Sequence, residues 1–232
     1  MGILFDAVAI LFGGFFGNKL QKNKTDKNYT TLGIGIIIIA IVGFIENMYK
    51  IDGEKISSSN LLIILFAYLI GNKIGEFIHL EDWLSNLSKT KNPSLNAFID
   101  STIFFGIGGL QISGPIALAL NNDNGQLILK SFIDAPFAIM FGATYGKIAA
   151  LASVPVAAIQ ISILVIAHFS SSFFTAKLIA QLCAFGYIIL FFSGFNLTTK
   201  NSCKISNINM LPGIFLVIIF NMLTNLTERL WG

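Results

Sequence analysis

Long apolar runs broken by short polar stretches set the pattern of this chain. Eight such runs lie near residues 3–18, 30–48, 60–78, 96–120, 126–150, 153–169, 175–195 and 207–227, and Lys, Asn and Ser collect between them. A helix needs roughly 20 mostly apolar residues to cross a bilayer, so these runs fill the chain and leave no room for an extramembrane domain. The pattern predicts an all-α, polytopic integral membrane protein of about eight transmembrane helices. The weakest cut is the border of the fifth and sixth runs, near Ala152 to Pro155. The first run lacks a basic leader region, carries Asp6 and has no small-residue cleavage site, so it reads as a first span that is retained.

Composition sharpens this picture. The chain is 54% apolar and only 12% charged, about half the charge of an ordinary soluble domain, with 22 Phe and 21 Gly. Arg229 is its single Arg, so neither the basic surface of a nucleic-acid binder nor the polar surface of a cytosolic enzyme is present. Cys183 and Cys203 form neither a disulfide framework nor a metal-ligand spacing, and no cofactor is implied. With loops on alternating sides, Lys19, Lys22, Lys24, Lys27, Lys73, Lys89, Lys91, Lys147, Lys200 and Lys204 share one face, against Lys50, Lys55, Lys130, Lys177 and Arg229 on the other. Cytoplasmic loops are enriched in Lys and Arg, which places the first face inside and both termini outside. The 81–93 stretch, with Trp83, Leu84 and Leu87 at helical spacing, is expected to lie along the cytoplasmic interface.

The chain also resembles itself. Phe5-Asp6-Ala7-Val8-Ala9-Ile10-Leu11-Phe12-Gly13 matches Ile133-Asp134-Ala135-Pro136-Phe137-Ala138-Ile139-Met140-Phe141-Gly142 when Pro136 is taken as an insertion. Each copy closes on a GxxxG, Gly13 to Gly17 and Gly142 to Gly146, followed by Lys19 or Lys147. Transporter folds are often built from such repeats. Four spans separate the copies, which keeps them running the same way and predicts two four-helix halves, residues 1–120 and 121–232, in a parallel repeat.

The region FIDSTIFFGIGGLQISGPIALALNNDNGQLILKSFIDAPFAIMFGATYGKIAAL and the opening DAVAILFGGFFGNKL resemble the prokaryotic membrane-protein family catalogued as domain of unknown function 554, the YqgA/YdfK type. The resemblance runs the length of the chain, and its most specific piece is Lys130-Ser131-Phe132-Ile133-Asp134 with the Gly-rich segment ending in Gly109 upstream. The chain departs from the pattern in Asp6, where Asn is expected, and in Gly114-Pro115. The resemblance implies a polytopic cytoplasmic-membrane protein often labelled a transporter, and no substrate.

A carboxylate at membrane depth costs roughly 2.5–3.5 kcal/mol on insertion scales, so Asp6, Asp100 and Asp134, and Glu46 and Glu76 if they lie as deep, each need a reason to be there. Lys130 lies one turn before Asp134, at the spacing of an i,i+4 ion pair, whereas Asp6 has no partner in its own turn. The competing readings are that Lys130 and Asp134 only neutralise each other near the outer interface and that Asp6 sits among headgroups. The segment from Gly106 to Pro115 is rich in helix breakers and is expected to unwind, presenting the backbone of Gly108 and Gly109 and the side-chain oxygens of Gln111 and Ser113 to an ion or solute. Close packing with a proline kink is the alternative. Ser131 completes the candidate binding set of Asp134, Asp6, Lys130, Asp100, Gly108, Gly109, Gln111 and Ser113. The GxxxG pairs at Gly13/Gly17, Gly71/Gly75 and Gly142/Gly146 read as packing faces, and Met140, Phe141, Phe173-Phe174 and Phe191-Phe192 as lipid-facing or packing residues.

Three functions fit these residues. The first is a secondary transporter or channel-like carrier of a small solute or ion in the prokaryotic inner membrane, with cation or proton coupling. The second is a non-transporting membrane subunit or sensor. The third is an intramembrane aspartyl hydrolase using Asp6 and Asp134, against which stands the absence of Gly-x-Gly-Asp, HExxH and GxSxG, so no enzyme activity is expected. The expected partners are the lipid bilayer and a small solute or ion; nucleic acid is not among them, and small-residue faces are compatible with a homodimer. A carboxylate with backbone carbonyls suits a cation or amine better than an anion, a preference Lys130 can reverse. Whether a metal is bound is open.

Overall fold

The computed structural model describes residues 1–20, 26–52, 55–58, 61–87, 89–106, 109–199, 202–203 and 205–231, without the side chains of 26–29, 49–52, 55–58, 172 and 225–231. The helices are α1 (Gly2–Lys19), α2 (Asp26–Met48), α3 (Leu61–Phe77), α4 (Leu80–Leu87), α5 (Pro93–Gly106), α6 (Gly109–Asn121), α7 (Gly125–Tyr145), α8 (Ser153–Phe169), α9 (Ala176–Thr198) and α10 (Pro212–Trp231). Between α2 and α3, where the sequence predicted a loop, β1 (Tyr49–Asp52) and β2 (Lys55–Ser58) pair antiparallel with Ile51 opposite Ile56.

Among the described residues, five helices are long and apolar enough to cross a membrane: α1, α2 from Thr30, α7, α8 with the turn before it, and α9. Two bent pairs, α3 with α4 at 57° and α5 with α6 at 56°, raise the number to seven if each is one crossing. The shorter apolar helix Ile208–Thr224 is what separates this count from the eight expected. The protein is all-α and polytopic. Its outer faces carry exposed apolar side chains such as Phe12, Ile38, Ile166 and Phe215, the surface a protein shows to lipid.

Glycine decides how the helices meet. A Cβ on Gly13 would lie 2.7 Å from that of Ala138, one on Gly17 2.0 Å from the carbonyl oxygen of Ile139, and one on Gly142 2.1 Å from that of Gly14, so α1 and α7 touch backbone to backbone. Gly2 lies against Leu127 at the other end of the same pair, so the two helices run parallel. By the same reading α3 crosses α10 antiparallel, Gly71 against Gly213 and Gly75 against Asn209, and α2 crosses α9 antiparallel, Gly33 against Gly194 and Gly43 against Tyr187. In lipid there is little hydrophobic drive between helices, so such close approach supplies the association through dispersion contacts. The GxxxG readings therefore hold, except at Gly146. That residue ends α7 with φ 78°, a conformation only glycine adopts freely, and its N–H caps the carbonyl of Gly142. The fifth run consequently breaks at Gly146 rather than near residue 150, and Lys147–Ala152 form a 3-10 turn leading into α8.

The expected unwinding from Gly106 to Pro115 does not extend over Gly109 to Pro115. Helix α5 ends at Gly106 and α6 resumes at Gly109, with Gln111, Ser113 and Pro115 all inside α6. Pro115 is tolerated because α6 is packed on all sides, from Gly109 to Ala117, with only Ile112 partly exposed. Gly108 lies outside the described residues. Gly109 is a packing glycine, since its Cβ would lie 1.6 Å from the Cα of Gly186 on α9.

Candidate functional site

The parallel pairing of α1 and α7 brings Asp6 beside the turn that holds Lys130 and Asp134. Lys130 donates from Nζ to Asp6 Oδ2 at 2.8 Å and also to Asp134 Oδ2 on its own helix. Asp6 is fully buried and the Lys130 side chain is only 5% exposed, so Asp6 does not sit among lipid headgroups. Asp6, with no partner in its own helix, is thus paired across the helix crossing, and Lys130 serves two carboxylates.

Amides extend the cluster. Gln160, on α8, donates from Nε2 to Asp6 Oδ2 at 2.7 Å and to Gln111 Oε1 at 2.9 Å, and Gln111 donates to the carbonyl of Val156 at 3.1 Å. Gln160 was not singled out in the sequence, although it is an amide in the middle of the apolar run SVPVAAIQISILVIAHF, which is a signal of the same kind as a buried carboxylate. Two acceptors, Asp6 Oδ1 and Gln160 Oε1, are buried with no hydrogen-bond partner among the described residues. With all three groups ionised the triad would carry one positive and two negative charges, and so one uncompensated negative charge.

The other candidate residues fall elsewhere. Ser131 donates to the carbonyl of Leu127, a local helical bond, and takes no part in the triad. Ser113 donates to Gln126 Oε1 at 2.7 Å, and Gln126 donates to the buried Cys183, so this chain forms a separate link between α6, α7 and α9. Asp100 is on α5 and lines a cavity without joining the triad.

That cavity, about 540 Å³, runs along one stripe of α7: Lys130, Ile133, Asp134, Phe137, Met140, Phe141 and Tyr145 all line it. Met140 and Phe141 therefore face a cavity rather than lipid alone. At 1.5 Å per residue the stripe is roughly 22 Å long, from the triad to the end of the helix. Glu81 of α4 and Ser206 to Ile208 border it at that end. Asp134 and Lys130 line its inner end, whereas Asp6 does not line it. Beyond the triad, the Gly2 N–H donates to Asn124 Oδ1 at 2.8 Å and Leu127 is fully buried against Gly2 and Gly114. About 8 Å of helix separates Lys130 from the start of α7, so the closed layer there is thin. Among the described residues, no group of three or more His, Cys, Asp or Glu is placed to hold a metal ion.

The model of the family described as "Protein of unknown function (DUF554)" matches residues 1–222. The chain is similar to the "Uncharacterized membrane protein YdfK" of Bacillus subtilis (strain 168), 25% identical over 225 residues that cover 94% of this chain and 95% of that one. It is also similar to the "Uncharacterized protein YqgA" of Escherichia coli (strain K12), 24% identical over 240 residues that cover 94% of each. No solved structure matches it.

Proposed function

The chain belongs to the DUF554 family, and from that premise we propose a secondary transporter or channel-like carrier of a small solute or ion across the prokaryotic cytoplasmic membrane, with cation or proton coupling. One observation carries this reading: a cavity that runs from the Tyr145 end of α7 along the helix stops at a buried carboxylate, ammonium and carboxylate. A triad used only for packing has no need of a passage leading to it. The end lined by Tyr145 and Glu81 lies next to Lys147 and α4, on the face where most Lys residues fall, and by the bias of cytoplasmic loops this is the inner face. The uncompensated negative charge calls for a second positive charge, a proton or a bound cation, and Asp134 is the carboxylate that a solute in the cavity reaches. Exchange of that charge couples to movement of the thin layer formed by Gly2, Asn124, Gly114 and Leu127, whose opening exposes the triad to the other side. The hydrolase alternative is weakened by the same geometry, because Lys130 stands between Asp6 and Asp134 and leaves only one of them facing the cavity.

The test is reconstitution into liposomes loaded with pyranine, with sodium, potassium, ammonium and methylammonium gradients imposed in turn. At least one gradient is expected to drive a proton signal above that of protein-free liposomes, and Asp134→Asn to abolish it. No signal with any gradient, or an undiminished signal in Asp134→Asn, would overturn the proposal.

A further inference from the structure

The cavity's dimensions and lining specify more than a site for an inorganic ion. A bare cation is held by several oxygens at about 2–3 Å, in a space of its own size. About 540 Å³ is instead the space of a small organic molecule, for which pockets run from about 300 to 1,000 Å³. Its middle section is aromatic. Phe104 lies 4.8 Å from Phe137 and 4.7 Å from Phe141 by ring centroids, and Phe141 lies 5.4 Å from Phe105 and 5.4 Å from Tyr145. All five rings border the cavity. Ring faces attract cations and repel anions, and the attraction strengthens away from water.

The charges point the same way. Asp100 and Asp134 line the cavity, and the one cation among its described lining residues, Lys130, has its ammonium already engaged by Asp6 and Asp134. An anion entering would meet carboxylates with no free positive charge among the described lining residues, whereas a cation would meet a field of the right sign. The buried Asn207 Oδ1, an acceptor with no partner among the described residues, belongs to a residue of the cavity wall and adds a place for an N–H donor.

We infer that the cavity takes an organic cation, an amine or quaternary ammonium carrying an apolar body, with its charge against the rings of Phe104 and Phe141, in the field of Asp134 on one side and Asp100 on the other. The inference rests on the transport reading above and names the class of its substrate. Bound there, the cation shares the cavity with Asp134 and adds positive charge on its side of the triad, which ties occupancy of the cavity to the state of the triad.

Calorimetry on the full chain in nanodiscs tests this with benzyltrimethylammonium, against benzenesulfonate as an anion of similar size and potassium as an inorganic cation. Saturable binding of benzyltrimethylammonium is expected, with no heat from benzenesulfonate and no competition by equimolar potassium. Phe141→Leu, which keeps an apolar side chain and removes the ring, is expected to weaken binding roughly tenfold, and Phe141→Tyr to retain it. Asp100→Asn is expected to weaken it by a similar factor without altering the thermal transition, which separates loss of binding from loss of fold. Equal or tighter binding of benzenesulfonate, or unchanged affinity in both Phe141→Leu and Asp100→Asn, overturns the inference. Absence of organic-cation binding alongside Asp134-dependent flux of an inorganic ion overturns it too, while leaving the transport reading in place.

Discussion

Removing the ammonium of Lys130 while keeping its bulk, as in Lys130→Met, leaves Asp6 and Asp134 buried at the same crossing without a cation between them. The triad then carries two negative charges instead of one in a region where Asp6 is fully buried and Asp134 is 7% exposed. Breaking a buried pair by deleting one partner costs about 3–5 kcal/mol, because the remaining charge keeps its desolvation penalty and loses its attraction. At about 2–4 °C per kcal/mol for a chain of this size, the thermal midpoint should fall by roughly 6–20 °C. The chain supplies its own reporter: Cys183 is buried and Cys203 exposed, so in a Cys203→Ser background a thiol-reactive fluorophore reads unfolding through Cys183 alone. Adding Asp6→Asn and Asp134→Asn to Lys130→Met removes every charge at nearly constant volume and should restore most of the loss. Asp6→Asn alone brings the triad to neutrality and should cost far less than Lys130→Met. If Lys130→Met melts within 2 °C of the parent, or if the neutral triple variant melts no higher than Lys130→Met, the charge argument is wrong.

The glycine crossings and the amide link make further predictions, readable by the same thermal assay. Gly17→Ala places a Cβ 2.0 Å from the Ile139 carbonyl oxygen and should destabilise by about 1–3 kcal/mol as α1 and α7 part, whereas Gly35→Ala, with nothing within 4 Å, should be neutral or stabilise by about 0.5–1 kcal/mol. Gln160→Leu withdraws the donor shared by Asp6 and Gln111, leaving both with less hydrogen bonding, and should cost about 1–3 kcal/mol, with Gln160→Glu no better because it sets a third carboxylate beside Asp6.

Much of the fold was legible because a bilayer imposes a length on every apolar run, and because charge inside such a run is costly enough to be conspicuous. Asp6, Lys130 and Asp134 stood out on that ground, and the i,i+4 spacing predicted one of the two ion pairs. The other, between Lys130 and Asp6, depends on α1 lying parallel to α7 over 124 residues of separation, which no local spacing encodes. Gln160 was passed over because a neutral amide costs less than a carboxylate and is less conspicuous among apolar letters, though its partners on α1 and α6 make it part of the same cluster. Helix breakers misled in the other direction. Gly109 and Pro115 read as an unwound binding segment, yet both belong to α6, Gly109 because the Gly186 backbone needs its missing Cβ, and Pro115 because neighbouring helices cover it. Phe141 read as ordinary packing because a Phe facing a cavity and one facing lipid are the same letter; only the stripe from Lys130 to Tyr145 separates them.

The most direct test of the central claim, a passage from the lysine-rich face to the triad, is thiol accessibility in oriented vesicles. In the Cys203→Ser background, Phe141→Cys and Ser193→Cys place thiols on the cavity wall, and Leu127→Cys places one in the closed layer beyond the triad. A membrane-impermeant thiol reagent should modify the thiols at 141 and 193 from the lysine-rich face only, and the one at 127 from neither face. Modification of 141 and 193 from the opposite face, or their silence from both, would contradict the account.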